Sequence, residues 1–211
     1  MSTQNLIARL SDELEPRTPM RRRQGLALVA AGLGLTVILV AGVLGSWRAA
    51  LAGHASPEFY IVNAMLLVLG AAAASAAVAM AAPQVGNRQD GARWGLAMVA
   101  ILPLVAIGVA LSQGLSAREM IDEHAARCVA WGTASGLLVF AALGGWLRRG
   151  APVSIEAAGL YSGVAAGALG SFACGLSCPI DDMVHLGLWH VAPIPLAGLA
   201  GRLILPRLIR W

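Results

Sequence analysis

Long apolar stretches constrain this chain more than any other feature of its sequence. Six of them approach the roughly 20 residues that a helix needs to cross about 30 Å of hydrocarbon, at residues 26–47, 60–82, 94–113, 128–146, 157–174 and 184–205. Of the 211 residues, 58% are hydrophobic and 12% are charged, roughly half the charged fraction of a soluble domain. The sequence therefore predicts an all-α polytopic protein, a six-transmembrane-helix bundle in the lipid bilayer.

Arginines predict the orientation of this bundle. Every basic residue is arginine, and 12 of the 15 arginines fall on one side of the predicted spans, leaving Arg48, Arg118 and Arg127 on the other. The positive-inside rule then places both termini in the cytoplasm. The predicted spans and this orientation together divide the chain into a cytoplasmic leader (1–25), a transmembrane domain (26–206) and a short cytoplasmic tail (207–211). No basic cluster is interleaved with aromatic residues, which argues against direct nucleic-acid binding.

The leader has the pattern of a short amphipathic helix. Leu6, Ile7, Leu10 and Leu14 recur at helical spacing and form one apolar face, and Pro16 ends the pattern. Such a face suits a groove on a partner protein. A helix docked on the cytoplasmic loops of the same chain would show the same periodicity, so the pattern leaves both interpretations open.

All three cysteines are predicted near the outer face of the membrane. Cys128 opens the fourth span and Cys178 follows the fifth, so these two helix ends could bring the pair within bonding range. A disulfide requires Cα atoms about 4.4–6.8 Å apart, which the sequence does not reveal, and it persists only in an oxidising compartment. Cys174 ends the fifth span, where we expect a small buried residue.

Metal binding is a second use for the same region. Polar residues there could supply zinc or another metal with ligands, and they form a possible metal or polar cluster: His124, Asp181, Asp182, His185, Trp189 and His190. Without a metal, the two aspartates would favour the N-terminus of the sixth helix. His190 lies within that span, where titratable groups are rare and usually face the bundle interior.

Glycines and prolines in the last two spans predict close packing and a bend. Gly159, Gly163 and Gly167 recur at four-residue spacing, which allows two helix backbones to approach. Pro193 and Pro195 remove backbone donors from the sixth span and are expected to interrupt it.

Several motifs together resemble one protein family. The leader "LIARLSDELEP", "CVAWG" at the start of the fourth span, "RRGAP" after it and the C-terminal "CPIDDMVHLGLWHVAPIPLAGLAGRLI" are similar to those of NrsF-type anti-sigma factors, the negative regulators of sigma F. The resemblance implies a non-enzymatic regulator in the bacterial inner membrane. Its N-terminal segment would hold an extracytoplasmic-function sigma factor, and a redox or metal stress signal at Cys128 and Cys178 would release it.

A different class of function uses the same outer-face residues. A small membrane enzyme or transporter could place its site at Asp181, Asp182, His185 and His190, where a bound metal could activate water. The chain lacks the H-E-x-x-H spacing of a metallohydrolase. Stoichiometric copurification of a sigma factor would distinguish the regulator from this alternative.

Overall fold

The structure, a computed structural model, describes residues 3–12, 20–83 and 90–209, and these ranges contain helices and no β-strand. The helices are α1 (Thr3–Asp12), α2 (Arg22–Leu44), α3 (Arg48–Leu51), α4 (Pro57–Met80), α5 (Asp90–Ser112), α6 (Ala125–Ser135), α7 (Leu137–Leu147), α8 (Ile155–Gly175), α9 (Met183–Trp189) and α10 (Pro193–Leu208). The predicted all-α class is confirmed.

Six of the described helical segments are long and apolar enough to cross a bilayer, which confirms the predicted number of spans. They cover Arg22–Leu44, Pro57–Met80, Ala92–Ser112, Ala125–Leu147, Ile155–Gly175 and Met183–Leu208. The predicted ends differ from these by at most four residues, because hydropathy does not register helix caps. Ser56, for example, starts α4 by accepting a hydrogen bond from the Phe59 backbone at 3.3 Å. The orientation in the bilayer stays a prediction.

Helix α8 lies at the centre of the bundle. In its most apolar window 78% of the residues are buried, against 17% in α2. Small residues permit this packing, as predicted. A Cβ atom on Gly163 would overlap the carbonyl oxygen of Ala197 in α10, and one on Gly136 would overlap the carbonyl oxygen of Ala166 in α8. Helices α7 and α10 therefore approach α8 at backbone distance.

Three connections meet at one end of the bundle, which we call the cysteine end: residues 45–56, 113–124 and 176–182. Three hydrogen bonds join the first and third of these connections, one of them from the Ser56 hydroxyl to the Asp181 carbonyl at 2.8 Å. The Trp47 backbone N–H donates to the Leu176 carbonyl at 3.0 Å, and the Ser56 backbone N–H donates to Asp181 Oδ2 at 2.8 Å. The ends of four spans are thereby tied together.

The opposite end, which we call the leader end, carries the start of α2 and the end of α10. Trp146 Nε1 donates to the Val78 carbonyl at 3.1 Å, and the indole ring packs against Gly25. The Ala151 backbone N–H donates to the Ala81 carbonyl at 2.9 Å. Helix α1 precedes α2 along the chain, so the chain enters the bundle at the leader end.

Two of the spans are interrupted. The fourth changes from α6 to α7 at Gly136, and the sixth changes from α9 to α10 over residues 190–192. The second interruption precedes Pro193, as predicted, since proline has no backbone N–H to donate. A Cβ atom on Gly132 of α6 would lie 2.9 Å from the Pro193 ring. The two interrupted spans therefore pack against each other.

Candidate functional site

Four buried side chains converge at the cysteine end. Cys128 lies in the first turn of α6, Cys178 in the connection between α8 and α9, His185 in α9 and His190 at its C-terminal cap. Each is at most 6% exposed. One sulfur or ring nitrogen from each residue lies within 4.8 Å of the other three. The structure thus brings together residues that are up to 62 positions apart in the sequence.

The two cysteines are neighbours but are not bonded. Their Sγ atoms are 3.8 Å apart, whereas a disulfide bond measures about 2.05 Å, and both thiols are free. Cys178 Sγ also lies 3.6 Å from His185 Nε2. The hydrogen bond with Cys128 raises the pKa of the Cys178 thiol, and burial adds to this effect. In the absence of a metal or an added cation, Cys178 therefore favours the protonated form.

Asp122 orients one of the histidines. Its Oδ2 atom lies 2.6 Å from His185 Nδ1, and its Oδ1 atom accepts a hydrogen bond from the His124 backbone N–H at 2.7 Å. Burial raises the pKa of Asp122, but these hydrogen bonds outweigh burial and hold the pKa below its ordinary value. An ionised carboxylate only accepts hydrogen bonds. His185 therefore carries a proton on Nδ1, and in the neutral ring Nε2 directs its lone pair toward Cys178.

Among the described residues, no carboxylate orients His190 in this way. Its ring lies against that of His185, with centroids 5.3 Å apart and planes inclined by 63°. Its Nε2 atom is buried and has no hydrogen-bond partner. A buried polar atom without a partner is costly, so this nitrogen is available to a ligand.

Cys174 is closer to the pair than its position at the end of the fifth span suggested. It is buried, as expected, and lines the same pocket as Cys128, Cys178, His124 and others. The pocket holds about 20 Å³, which is room for about one water molecule. All three cysteines thus share one small space.

The remaining residues of the predicted cluster have other partners. Asp182 caps α9 by accepting hydrogen bonds from two backbone N–H groups, both at 3.0 Å, and Asp181 binds Ser56. Trp189 Nε1 donates to the Met120 carbonyl at 3.0 Å, and His124 Nδ1 lies 3.6 Å from a Glu123 carboxylate oxygen. None of these four residues belongs to the set of converging ligand atoms.

Asp122 is the residue that sequence reasoning missed. It belongs to the acidic connection before the fourth span, but it lies 63 residues from His185, so no local spacing relates the two. A usable signal was the titratable His185 at the start of an apolar span, since a histidine there usually requires a hydrogen-bonding partner. The acidic residues of a neighbouring connection were the candidates for that hydrogen-bonding partner of His185.

The described part of the leader is helical and solvent-exposed. Leu6, Ile7 and Leu10 lie in α1, and the side chains of Ile7 and Leu10 are 58% and 54% exposed. Leu14 lies outside the described residues. The apolar positions of the leader whose side chains the structure describes are therefore not covered by the transmembrane domain.

Comparison with known proteins adds a family match. A family model described as NrsF, negative regulator of sigma F, matches residues 10–211. No curated protein matches the chain, and no solved structure matches it.

Proposed function

Because this chain belongs to the NrsF family of negative regulators of sigma F, we propose that it is an anti-sigma factor of the bacterial inner membrane. In this proposal its cytoplasmic N-terminal segment holds an extracytoplasmic-function sigma factor away from RNA polymerase. A periplasmic redox or metal signal at Cys128 and Cys178 releases the sigma factor. The family match over nearly the whole chain is the observation that carries the regulatory role.

Exposure of the leader supports its role in partner binding. Ile7 and Leu10 place two large apolar side chains in solvent on one face of α1. Exposed apolar anchors at this spacing are the pattern by which an amphipathic helix enters a groove on another protein. Docking on loops of the same chain would bury these side chains. By the positive-inside rule, the arginine distribution supports a cytoplasmic position for this helix, and the cytoplasm is the compartment where a sigma factor acts.

The cysteine pair supports an outer-face sensor. Two thiols whose sulfurs are 3.8 Å apart can react with a peroxide: each loses its hydrogen, the sulfurs bond, and the peroxide is reduced to two waters. Bond formation draws the sulfurs about 1.7 Å closer. This movement shifts the start of α6 relative to residues 176–182. Since α6 and α9 belong to the two interrupted spans, the shift would act on both of those spans.

Copurification tests the leader assignment. Leu10→Asp places a charge among the predicted anchors and should abolish stoichiometric recovery of a sigma factor with the tagged, full-length protein. Ala8→Asp adds the same charge on another face of α1 and should leave recovery unchanged. Equal recovery with both variants would refute the assignment of the partner surface to the apolar face.

A second experiment tests the sensor. Peroxide treatment of membranes should release the sigma factor from the wild-type protein and from the matched control Cys174→Ser. It should not release the sigma factor from Cys128→Ser or Cys178→Ser. Release from all four proteins would refute sensing by this pair.

The enzyme or transporter alternative gains no support from the described residues. A nucleophile, a base and an orienting acid could be formed by Cys178, His185 and Asp122. The adjoining pocket holds only about 20 Å³, however, and admits no substrate larger than a water molecule. Asp181 and Asp182 are engaged in hydrogen bonds to backbone N–H groups. The copurification experiment separates the two classes of function.

A further inference from the structure

We propose that Cys128, Cys178, His185 and His190 form a tetrahedral binding site for one zinc-like divalent cation, with Asp122 supporting the site from behind His185. Its role in signalling rests on the function proposed above, whereas the binding itself rests on geometry and is tested without a sigma factor.

The distances match a tetrahedral ion. With Zn–S distances of about 2.3 Å and Zn–N distances of about 2.0–2.1 Å, a tetrahedral zinc holds two sulfurs about 3.8 Å apart and a sulfur and a nitrogen about 3.6 Å apart. The Sγ atoms of Cys128 and Cys178 are 3.8 Å apart, and Cys178 Sγ is 3.6 Å from His185 Nε2. The other ligand atoms lie within 4.8 Å, so rotation of the His190 ring completes the set.

Charge balance favours a divalent ion with these ligands. Two thiolates and two neutral imidazoles carry a charge of −2, which a divalent cation cancels. A neutral site is the form that burial penalises least, and all four side chains are at most 6% exposed. Binding releases one proton from each thiol. Thiolate and imidazole together select zinc and softer ions over magnesium or calcium.

Asp122 supplies the support that metal-binding histidines usually have. A ligating histidine commonly donates its other ring N–H to a carboxylate, which fixes the tautomer and the ring orientation. The 2.6 Å contact between Asp122 and His185 Nδ1 is of this kind, and it leaves Nε2 facing Cys178. His190 Nε2, buried and without a hydrogen-bond partner, is the atom that a cation would satisfy.

Four protein ligands leave no open position on a tetrahedral ion, which is the arrangement of structural rather than catalytic zinc. The cation would tie α6, the connection 176–182 and α9 into one unit. Metal binding and disulfide formation at Cys128 and Cys178 would exclude each other, because thiolates that bind a metal cannot at the same time form a disulfide.

Metal binding by the full-length protein tests the proposal. The protein, purified in detergent under reducing conditions, is loaded with Zn²⁺ or Co²⁺ and freed of excess metal. We expect one bound metal per chain. The Co²⁺ form should show the visible absorption of a tetrahedral ion and a thiolate-to-cobalt charge-transfer band in the near ultraviolet.

Variants identify the ligands. Cys178→Ser and His190→Ala should lose stoichiometric metal and the charge-transfer pattern of the wild type, with helical content checked by circular dichroism. Asp122→Asn should keep the stoichiometry but bind Zn²⁺ about 10–100-fold more weakly in competition with a chelator. His124→Ala and Cys174→Ser, which alter the same pocket outside the ligand set, should bind as the wild type does.

Three results would overturn the proposal. They are a wild-type protein that retains no more metal than Cys178→Ser, a Co²⁺ spectrum without a thiolate band, and loss of binding in Cys174→Ser with binding intact in Cys178→Ser. Each can occur while a sigma factor still copurifies, so failure of the metal site is distinguishable from failure of the anti-sigma assignment.

Discussion

Replacing Gly163 with alanine should weaken the central interface between α8 and α10. The added Cβ would lie 2.7 Å from the Ala197 carbonyl carbon and 2.8 Å from Gly198 Cα, whereas carbon atoms pack at about 3.5–4.0 Å. The obstructing atoms are backbone, so no change of rotamer relieves the overlap. The helices must therefore separate by several tenths of an ångström.

The expected cost is the balance of two effects. Overpacking a tight interface costs about 1–3 kcal/mol, and here the absence of a flexible neighbour favours the upper part of that range. Alanine also stabilises a helix interior by up to about 1 kcal/mol relative to glycine. We expect Gly163→Ala to lower the free energy of unfolding by about 2 kcal/mol.

Titration with SDS of the protein in detergent micelles, followed by tryptophan fluorescence, measures this change. Gly34→Ala in α2 is the matched control, since its added Cβ would have no neighbour within 4 Å. The control should unfold at the same SDS fraction as the wild type or at a slightly higher one. If Gly163→Ala unfolds together with Gly34→Ala, the backbone contact between α8 and α10 does not stabilise the bundle as argued.

Three hydrogen-bonded side chains are further test points with the same assay. Asp182→Ala should cost about 1 kcal/mol, because the carboxylate caps α9 through two backbone N–H groups; Asp182→Asn should cost less. Trp146→Phe should cost about 1 kcal/mol by removing the donor to the Val78 carbonyl. Acid should destabilise the protein through Asp122, whose folded pKa is lowered. The contribution of the Asp122 carboxylate to the free energy of unfolding is complete above its unfolded pKa of about 3.9. It is lost as the pH falls from there through the folded pKa. Asp122→Asn should therefore reduce the dependence of stability on pH.

Each of these has an outcome that would contradict it. Equal midpoints for the wild type and Asp182→Ala would show that the cap contributes nothing. An unchanged midpoint in Trp146→Phe would show that the indole donor is replaced by solvent. Identical pH profiles for wild type and Asp122→Asn below about pH 4, the ordinary aspartate pKa, would mean that the Asp122 carboxylate is not stabilised in the folded state.

The spans were predictable because apolar stretches of this length rarely form anything except membrane-crossing helices. The proximity of Cys128 and Cys178 followed from topology as a possibility, since both residues adjoin span ends on one face. In the structure the two sulfurs are 3.8 Å apart. Packing by Gly163 was predictable for a similar reason: small residues at four-residue spacing have one main use between helices.

The identity of the ligand set was not predictable from spacing. Asp181 and Asp182 adjoin Cys178 in the sequence but use their carboxylates on backbone N–H groups, while Asp122, from another connection, reaches His185. Which carboxylate meets which histidine depends on how three connections fold over the bundle. That arrangement is a tertiary property which local periodicity does not encode.

The interruption of the sixth span has a consequence for the coordination geometry. On a regular helix with 3.6 residues per turn, positions five apart point about 140° away from each other, so the side chains of His185 and His190 would diverge. Here their ring centroids are 5.3 Å apart, where α9 ends and Pro193 begins α10. The two rings therefore meet beside the junction of α9 and α10, and a change in the angle between these helices would alter the spacing of the two imidazoles directly.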